Sequence, residues 1–298
     1  MLDNRRLGVH DAQLVQVLVE QGIAASTARC ELERLANGWS EPGYRLVNRS
    51  RWNELVEIGA TYTMPYGPYE LACAREILDE PLRLPWNEIE NVLCLASGGG
   101  QQAPLFAALG KRVTLVDLSP AQLDRDRESA RLYKLDIECI EGDMLDLSEL
   151  RSRDFDLVYQ PVSTCYVADL QSLYGEVAAV VRTGGWYWSE HWNPVHMQLE
   201  DLGRWSGRGY RIVRPQQQNG PVIFTDENGE EGPGTCWHFI HTLEELIGTL
   251  GSAHFAVEGF AERLRGDARA EPGSDDHVCV FAPPLLTVLA RRLHDDGG

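Results

Sequence analysis

Asn91-Val-Leu-Cys-Leu-Ala-Ser-Gly-Gly-Gly-Gln-Gln102 is the stretch that decides the fold. The apolar run from Val92 to Ala96 is too brief for a helix and ends on glycines, so it reads as a buried strand. Gln101 to Leu109 then reads as a helix. A strand, a glycine turn and a helix in succession bring backbone N–H groups and a helix N-terminus to one place, where an anion or a polar ligand can be met. Glycine is required there because a Cβ would hold the ligand away from the backbone. The spacing Gly98-x-Gly100-x-x-Ala103 also satisfies the loose dinucleotide fingerprint. Alone, the pattern fits a purely structural turn equally well.

The residues that follow add to it. Val113-Thr-Leu-Val-Asp117 is a second apolar strand that ends in an acid. A carboxylate at that tip can accept hydrogen bonds from both ribose hydroxyls of a nucleoside. Ser119-Pro120 opens a helix, with serine as N-cap, proline at the first helical position and Gln122 completing a capping box. Ile137 to Met144 reads as a third strand ending in Gly-Asp-Met, and Phe155 to Gln160 as a fourth. Strands alternating with helices make an α/β fold.

These residues resemble the class I S-adenosylmethionine-dependent methyltransferases, in particular the small-molecule branch, over roughly residues 91–190. The resemblance implies a Rossmann-like seven-stranded sheet with helices on both faces and an antiparallel last strand inserted between strands five and six. It implies S-adenosyl-L-methionine as cofactor. The glycine turn (Ala96, Ser97, Gly98, Gly100) would face the methionine part. Asp117, with Leu118 beside it, would hold the ribose. Asp143 would meet the adenine amino group, and Met144 would pack on the ring. Many members carry an acid at the start of the glycine motif, where this chain has Leu95-Ala96-Ser97. Backbone carbonyls or Gln160 are then left to hold the cofactor's ammonium.

Size and charge narrow the classes. A chain of 298 residues suits one core with additions. The expected division is a helical extension and lid over 1–80 and a methyltransferase domain over 81–298, with a substrate cover at 200–240. A formal charge of −18 disfavours nucleic acid and anionic membrane surfaces, both of which need clustered lysine and arginine. The two lysines, Lys111 and Lys134, fall at the ends of predicted helices, which excludes a Schiff-base or Walker lysine. Seven scattered cysteines without a Cys-x-x-Cys pair fit neither a disulfide framework nor a zinc site, so no metal is expected. No apolar run approaches the ~20 residues that span a bilayer. Met1-Leu-Asp-Asn-Arg-Arg lacks the apolar core of a secretory signal, so the expected compartment is the cytoplasm.

Outward from the centre, Asp11–Gln21 and Ser26–Ala36 have helical apolar spacing; such a pair packs on the core, mediates self-association as a homodimer, or recruits substrate. Arg49–Ala60 is another amphipathic helix. Thr61-Tyr-Thr-Met-Pro-Tyr-Gly-Pro-Tyr69 follows, at the position of the family's lid. There Tyr62, Tyr66 and Tyr69 either offer ring faces to a sulfonium or simply pack the lid down. Pro68–Glu80 is expected as one helix.

At the carboxyl edge, Gln160-Pro-Val-Ser-Thr-Cys-Tyr166 departs from the Asp/Asn-Pro-Pro-Tyr/Phe of enzymes that act on amide or base nitrogens, which argues against that substrate class. Asp169–Arg182 reads as helix and Trp186–Glu190 as strand five. His191-Trp-Asn-Pro-Val-His196 comes next at the same edge, and Trp192 belongs to a cluster of four tryptophans between 186 and 205. That cluster is either core packing or the wall of a pocket for an apolar or flat substrate. His191 is the first candidate for a general base and His196 the second. Tyr210–Val213 and Pro221–Thr225 are expected to pair as a β-hairpin. His238 and His241 line a pocket or the core. Strands six and seven are expected at His254–Glu262 and Leu285–Arg291. The reaction expected is in-line methyl transfer to an oxygen or nitrogen of a small molecule or modified peptide. A nicotinamide-dependent oxidoreductase and a non-catalytic binding partner of the same fold are the alternatives.

Overall fold

Strand β1 (Asn91–Leu95) lies near the middle of a seven-stranded sheet of order β3-β2-β1-β4-β5-β7-β6. The computed structural model describes residues 41–200, 205–216, 221–222 and 236–294. Before β1 come helix α1 (Glu41–Glu57) and two short helices, α2 (Pro68–Ala72) and α3 (Ala74–Leu78). After it, α4 (Gln102–Ala108), β2 (Arg112–Asp117), α5 (Pro120–Tyr133), β3 (Ile137–Glu141), β4 (Phe155–Gln160), α6 (Leu170–Val180) and β5 (Val181–Trp192) alternate. The chain closes through α7 (Pro194–Met197), α8 (Thr249–Ser252), β6 (Phe255–Glu262), α9 (Asp275–Phe281) and β7 (Leu285–Arg292). Among these strands, β7 runs antiparallel to both β5 and β6, and the other pairings are parallel. The seven-stranded, doubly wound sheet with β7 between β5 and β6 is the one the resemblance implies.

The continuous apolar character of β1 reflects burial on both faces. Val92 and Cys94 turn to a core shared with α3, α4 and Leu123 of α5. Leu93 and Leu95 turn to the opposite core, built on α6 and β7. Trp186 and Trp188 belong to the first of these cores, where Trp188 stacks on Tyr159 with ring centroids 4.1 Å apart. Two of the four clustered tryptophans are therefore packing residues.

Three local expectations differ from the structure. Cys73 breaks the Pro68–Glu80 helix into α2 and α3. The capping box at Ser119 is half formed. Ser119 Oγ accepts the Gln122 N–H, but the Ser119 N–H goes to Asp117 Oδ1, which leaves the Gln122 side chain for other use. The described parts of the expected hairpin pair elsewhere, Ile212 with Leu199 and Val222 with His238. The expected helices at 11–21 and 26–36 lie outside the described residues.

Helix α1 crosses the carboxyl edge of the sheet as a strap. Asn48 donates to the Trp237 carbonyl at 3.1 Å and accepts the Trp237 N–H at 2.7 Å. Asn53 Oδ1 bonds Ser119 Oγ at 2.7 Å, and Arg49 pairs with Glu141. Asn48→Ala removes the two bonds that fix the 236–240 segment and is expected to cost about 1–3 kcal/mol, the range for stranding buried partners. Faster amide exchange confined to that segment and α1 is the readout.

Candidate active site

The parallel strands β1, β2, β3 and β4 end on one edge, and the connections leaving them surround a cavity of about 580 Å³. Ala96, Ser97 and Gly98 reach it from the first turn, Asp117 and Leu118 from the second, and Asp143 and Met144 from the third. Ala96 holds a φ of 47° there, a left-handed conformation that residues with a Cβ resist. Register explains the convergence: Leu95 lies opposite Val116, and Asp117 opposite Glu141, so the strand tips come level.

The glycine turn is packed on carboxylates. A Cβ on Gly98 would lie 2.6 Å from Gln122 Cβ and 2.9 Å from Asp117 Oδ2, so only glycine fits. The Gly98 N–H donates to Asp117 Oδ2 at 2.9 Å, and the Gly99 N–H to Asp126 Oδ2 at 2.8 Å. Burial pushes Asp117 up to about 6, against the pull of its backbone hydrogen bonds from Ser119, Gly98 and Leu118. Gly100 has positive φ and faces Pro65 and Ser129 rather than the cavity. Its carbonyl accepts the Tyr66 N–H at 2.9 Å, and Gln101 Nε2 donates to the Met64 carbonyl at 3.0 Å, which stitches the 60s segment to the turn.

Asp143 is paired with Arg45 of α1 at 2.7 Å. Arg45, Asn48 and Trp52 of α1 all line the cavity, as do Gln101, Gln122, Glu190, Cys236, His238 and Arg265. None of these was singled out for the site from the sequence, apart from His238 as a pocket-or-core histidine. For Glu190 a signal existed: on β5 it shares a face with Trp188 and Trp192, whereas His191 points the other way.

The cavity's far half is aromatic. Trp52 makes edge contacts with Tyr62 and Tyr166, both at 5.8 Å, and His238 tilts against Tyr166 at 5.0 Å. Trp192 completes the wall. Of the lid tyrosines only Tyr62 lines the cavity; Tyr66 packs toward the α4 core, and Tyr69 is 76% exposed. Glu190, 5% exposed, pairs with Arg263 at 3.0 Å. Burial raises the Glu190 carboxyl above the ordinary glutamate range despite that pairing.

Besides Gly100, Tyr66 and Tyr69, three expected site residues lie outside the cavity lining. His191 is fully buried, with Nδ1 bonded to Thr164 Oγ1 at 2.8 Å and Nε2 to Ser189 Oγ at 2.9 Å. Burial lowers it to about 3, so it is a neutral core residue with both nitrogens in use and not a base. His196 bonds the Ala282 carbonyl through Nδ1 and stacks on Trp192 from outside the cavity lining. Gln160 is spent on Tyr187 Oη at 2.6 Å and Ser163 Oγ at 2.8 Å, which removes it as a holder of an ammonium.

Residues 93–189 match the family described as a methyltransferase domain. The chain is 32% identical over 236 residues to an uncharacterized methyltransferase, YbaJ, of Bacillus subtilis, a span of 74% of this chain and 90% of that protein. The chain belongs to the class I S-adenosylmethionine-dependent methyltransferases. A methyltransferase of this class from Mesorhizobium loti superposes with a TM-score of 0.57 at 25% identity, over 76% of this chain and 99% of that one. The 1,6-didemethyltoxoflavin-N1-methyltransferase of Burkholderia thailandensis, solved with 1,6-didemethyltoxoflavin and S-adenosylhomocysteine, shares the fold (TM-score 0.54, 16% identity, 86% of this chain and 91% of that one).

The methyltransferase's cofactor is S-adenosylmethionine, and the turn fits it. The Gly98 and Gly99 N–H groups are occupied by the chain's own carboxyl groups, and Asp117, which lines the cavity, gives the bend negative charge at neutral pH. That suits a sulfonium and an ammonium and repels the pyrophosphate of a nicotinamide dinucleotide. Asp117→Ala strands the Gly98 and Ser119 N–H groups and is expected to weaken S-adenosylhomocysteine binding by about 1–3 kcal/mol. Calorimetry checks this, and unchanged affinity would remove Asp117 from the site.

Proposed function

We propose that this methyltransferase modifies an oxygen or nitrogen of a small organic acceptor with a flat, largely apolar body. The observation that carries this reading is the aromatic half of the cavity, where Trp52 stands between Tyr62 and Tyr166, and Trp192 and His238 close the sides. Rings at such spacing bind flat apolar groups by area and edge contact. The enclosure of this half by α1, the 236–238 segment and the tip of β5 favours a small molecule over a folded macromolecule. The Burkholderia enzyme of the same fold was solved with 1,6-didemethyltoxoflavin bound.

In this reading the three strand tips divide the cofactor among them. Asp117 takes the ribose hydroxyls, Asp143 and Met144 the adenine, and Ala96, Ser97 and Gly98 the amino-acid end. The cofactor supplies a methyl group already activated by a positive sulfur. What remains for the protein is alignment of the acceptor, exclusion of water and removal of a proton.

Glu190 is the group we assign to the proton. It lines the acceptor half, and burial moves its carboxyl toward neutrality, the direction that makes a carboxylate a better base. Arg263 holds it in place. His238 is less suited, because its Nδ1 side is engaged with the Cys236 carbonyl and burial lowers it to about 4.

A panel of phenols and nitrogen heterocycles, assayed for S-adenosylhomocysteine release, tests the acceptor class; activity confined to aliphatic or macromolecular acceptors would sink it. With an acceptor in hand, Glu190→Gln is expected to lower kcat by about 10²–10⁴, the usual weight of general-base catalysis. Binding of S-adenosylhomocysteine to the same variant should stay within a factor of about three, since Glu190 lies outside the turns assigned to the cofactor. Trp192→Ala should raise KM for the acceptor with little change in cofactor affinity.

A further inference from the structure

Asp126 on α5 is fully buried behind the glycine turn and is not part of the cavity lining. Oδ2 accepts the Gly99 N–H at 2.8 Å, while Oδ1 has no hydrogen-bond partner among the described residues. The Gly100 N–H also favours the charged form of this carboxylate. The titratable groups facing it are Cys94 of β1, Asp117 of β2 and Cys139 of β3. Burial lifts both thiols, Cys139 to about 11, so they are neutral. The remaining charge, Asp117, has the same sign. Among the described residues no lysine or arginine bonds Asp126.

A lone acid in such a place lowers stability, and burial pushes it up to about 8. A perturbed acid set against a ligand turn is a candidate functional group. A second acceptor without a donor, Gln122 Oε1, lies on the other side of the same bend, 3.0 Å from where a Cβ on Gly99 would be. The bend thus gathers two acceptors without donors at Gly99, next to the Ala96–Gly98 lining, in a motif that lacks its usual acid.

We propose that Asp126 is a positioning residue for the cofactor, holding the glycine turn by its Gly99 N–H and supplying from behind it the negative charge that receives the ammonium of the amino-acid end. This rests on the cofactor and not on the acceptor class.

The test compares two neutral thioethers on the full chain by calorimetry at pH 7.5. These are S-adenosylhomocysteine and 5′-methylthioadenosine, which lacks the amino-acid end. Each is run in buffers of different ionisation enthalpy so that protons are counted. Asp117 is ionised at this pH and contributes little to the count. Binding of S-adenosylhomocysteine to the wild type should release a substantial fraction of a proton, because a cation near Asp126 favours its charged form. 5′-Methylthioadenosine should release almost none. Asp126→Asn keeps an acceptor for Gly99 and removes the charge. It should abolish the proton release, weaken S-adenosylhomocysteine about tenfold, the effect of one unit of pKa coupling, and leave 5′-methylthioadenosine unchanged.

The free variant should also melt above the wild type at pH 8. An acid whose folded pKa lies above its unfolded one keeps a proton that the unfolded chain has lost, so stability falls as pH climbs from about 4 to about 8, and asparagine escapes that fall. Absence of proton release from the wild type, or equal weakening of both ligands in the variant, would overturn the proposal. The wild-type proton count decides the matter even where the variant does not fold.

Discussion

Two carboxylates buried against the N–H groups of one glycine turn set the character of this site. Asp117 and Asp126 reach the bend from β2 and α5, and each takes one of its N–H donors. Burying a carboxylate in a low-dielectric core is unfavourable, and desolvation pushes both acids upward, with the charge of Asp117 adding a lesser push on Asp126. In return the turn cannot slacken: its donors are committed, Gly98 is packed too closely for any side chain, and Gly99 and Gly100 hold positive φ. Glycine turns of this outline elsewhere use free N–H groups to bind phosphate. Here the corresponding N–H groups are taken up by the chain's own carboxyl groups.

The rest of the cavity is assembled by elements remote in sequence. Helix α1 ties Asp143 through Arg45 and the 236–238 segment through Asn48, so one rod spans the cavity from the tip of β3 to that segment. The 60s segment is tied to the turn itself by Tyr66 and Gln101.

What could be read from the chain beforehand follows from distance along it. Asp117, Asp143 and the glycine turn were legible because each sits at the tip of a strand whose apolar run is local, and parallel pairing then makes the tips converge. The order of β5, β7 and β6 came with the family resemblance and not from periodicity. His191 lies near the carboxyl edge, but strand parity turns it away from the cavity and into the core. Odd positions of β5 (Tyr187, Ser189, His191) turn to one face, while Glu190 and Trp192 reach the cavity from the other. Arg45, Asn48 and Trp52 carry no motif, and only tertiary contact distinguishes them from other residues of an amphipathic helix. The expected hairpin failed for a related reason: Ile212 and Val222 each found a partner that local turn signals do not encode.

The division of the cavity also bears on turnover. One half is walled by Asp117 and Asp143, with Asp126 behind it; the other is aromatic around Glu190. Methyl donation removes one positive charge from what the cavity holds and leaves the shape almost unchanged. A wall of buried carboxylates discriminates on charge, and in a low-dielectric enclosure that discrimination is larger than in water. On the assignment proposed for Asp117, the cationic form that enters is favoured over the neutral thioether that must leave, so the burial of that carboxylate would serve the exchange of one for the other.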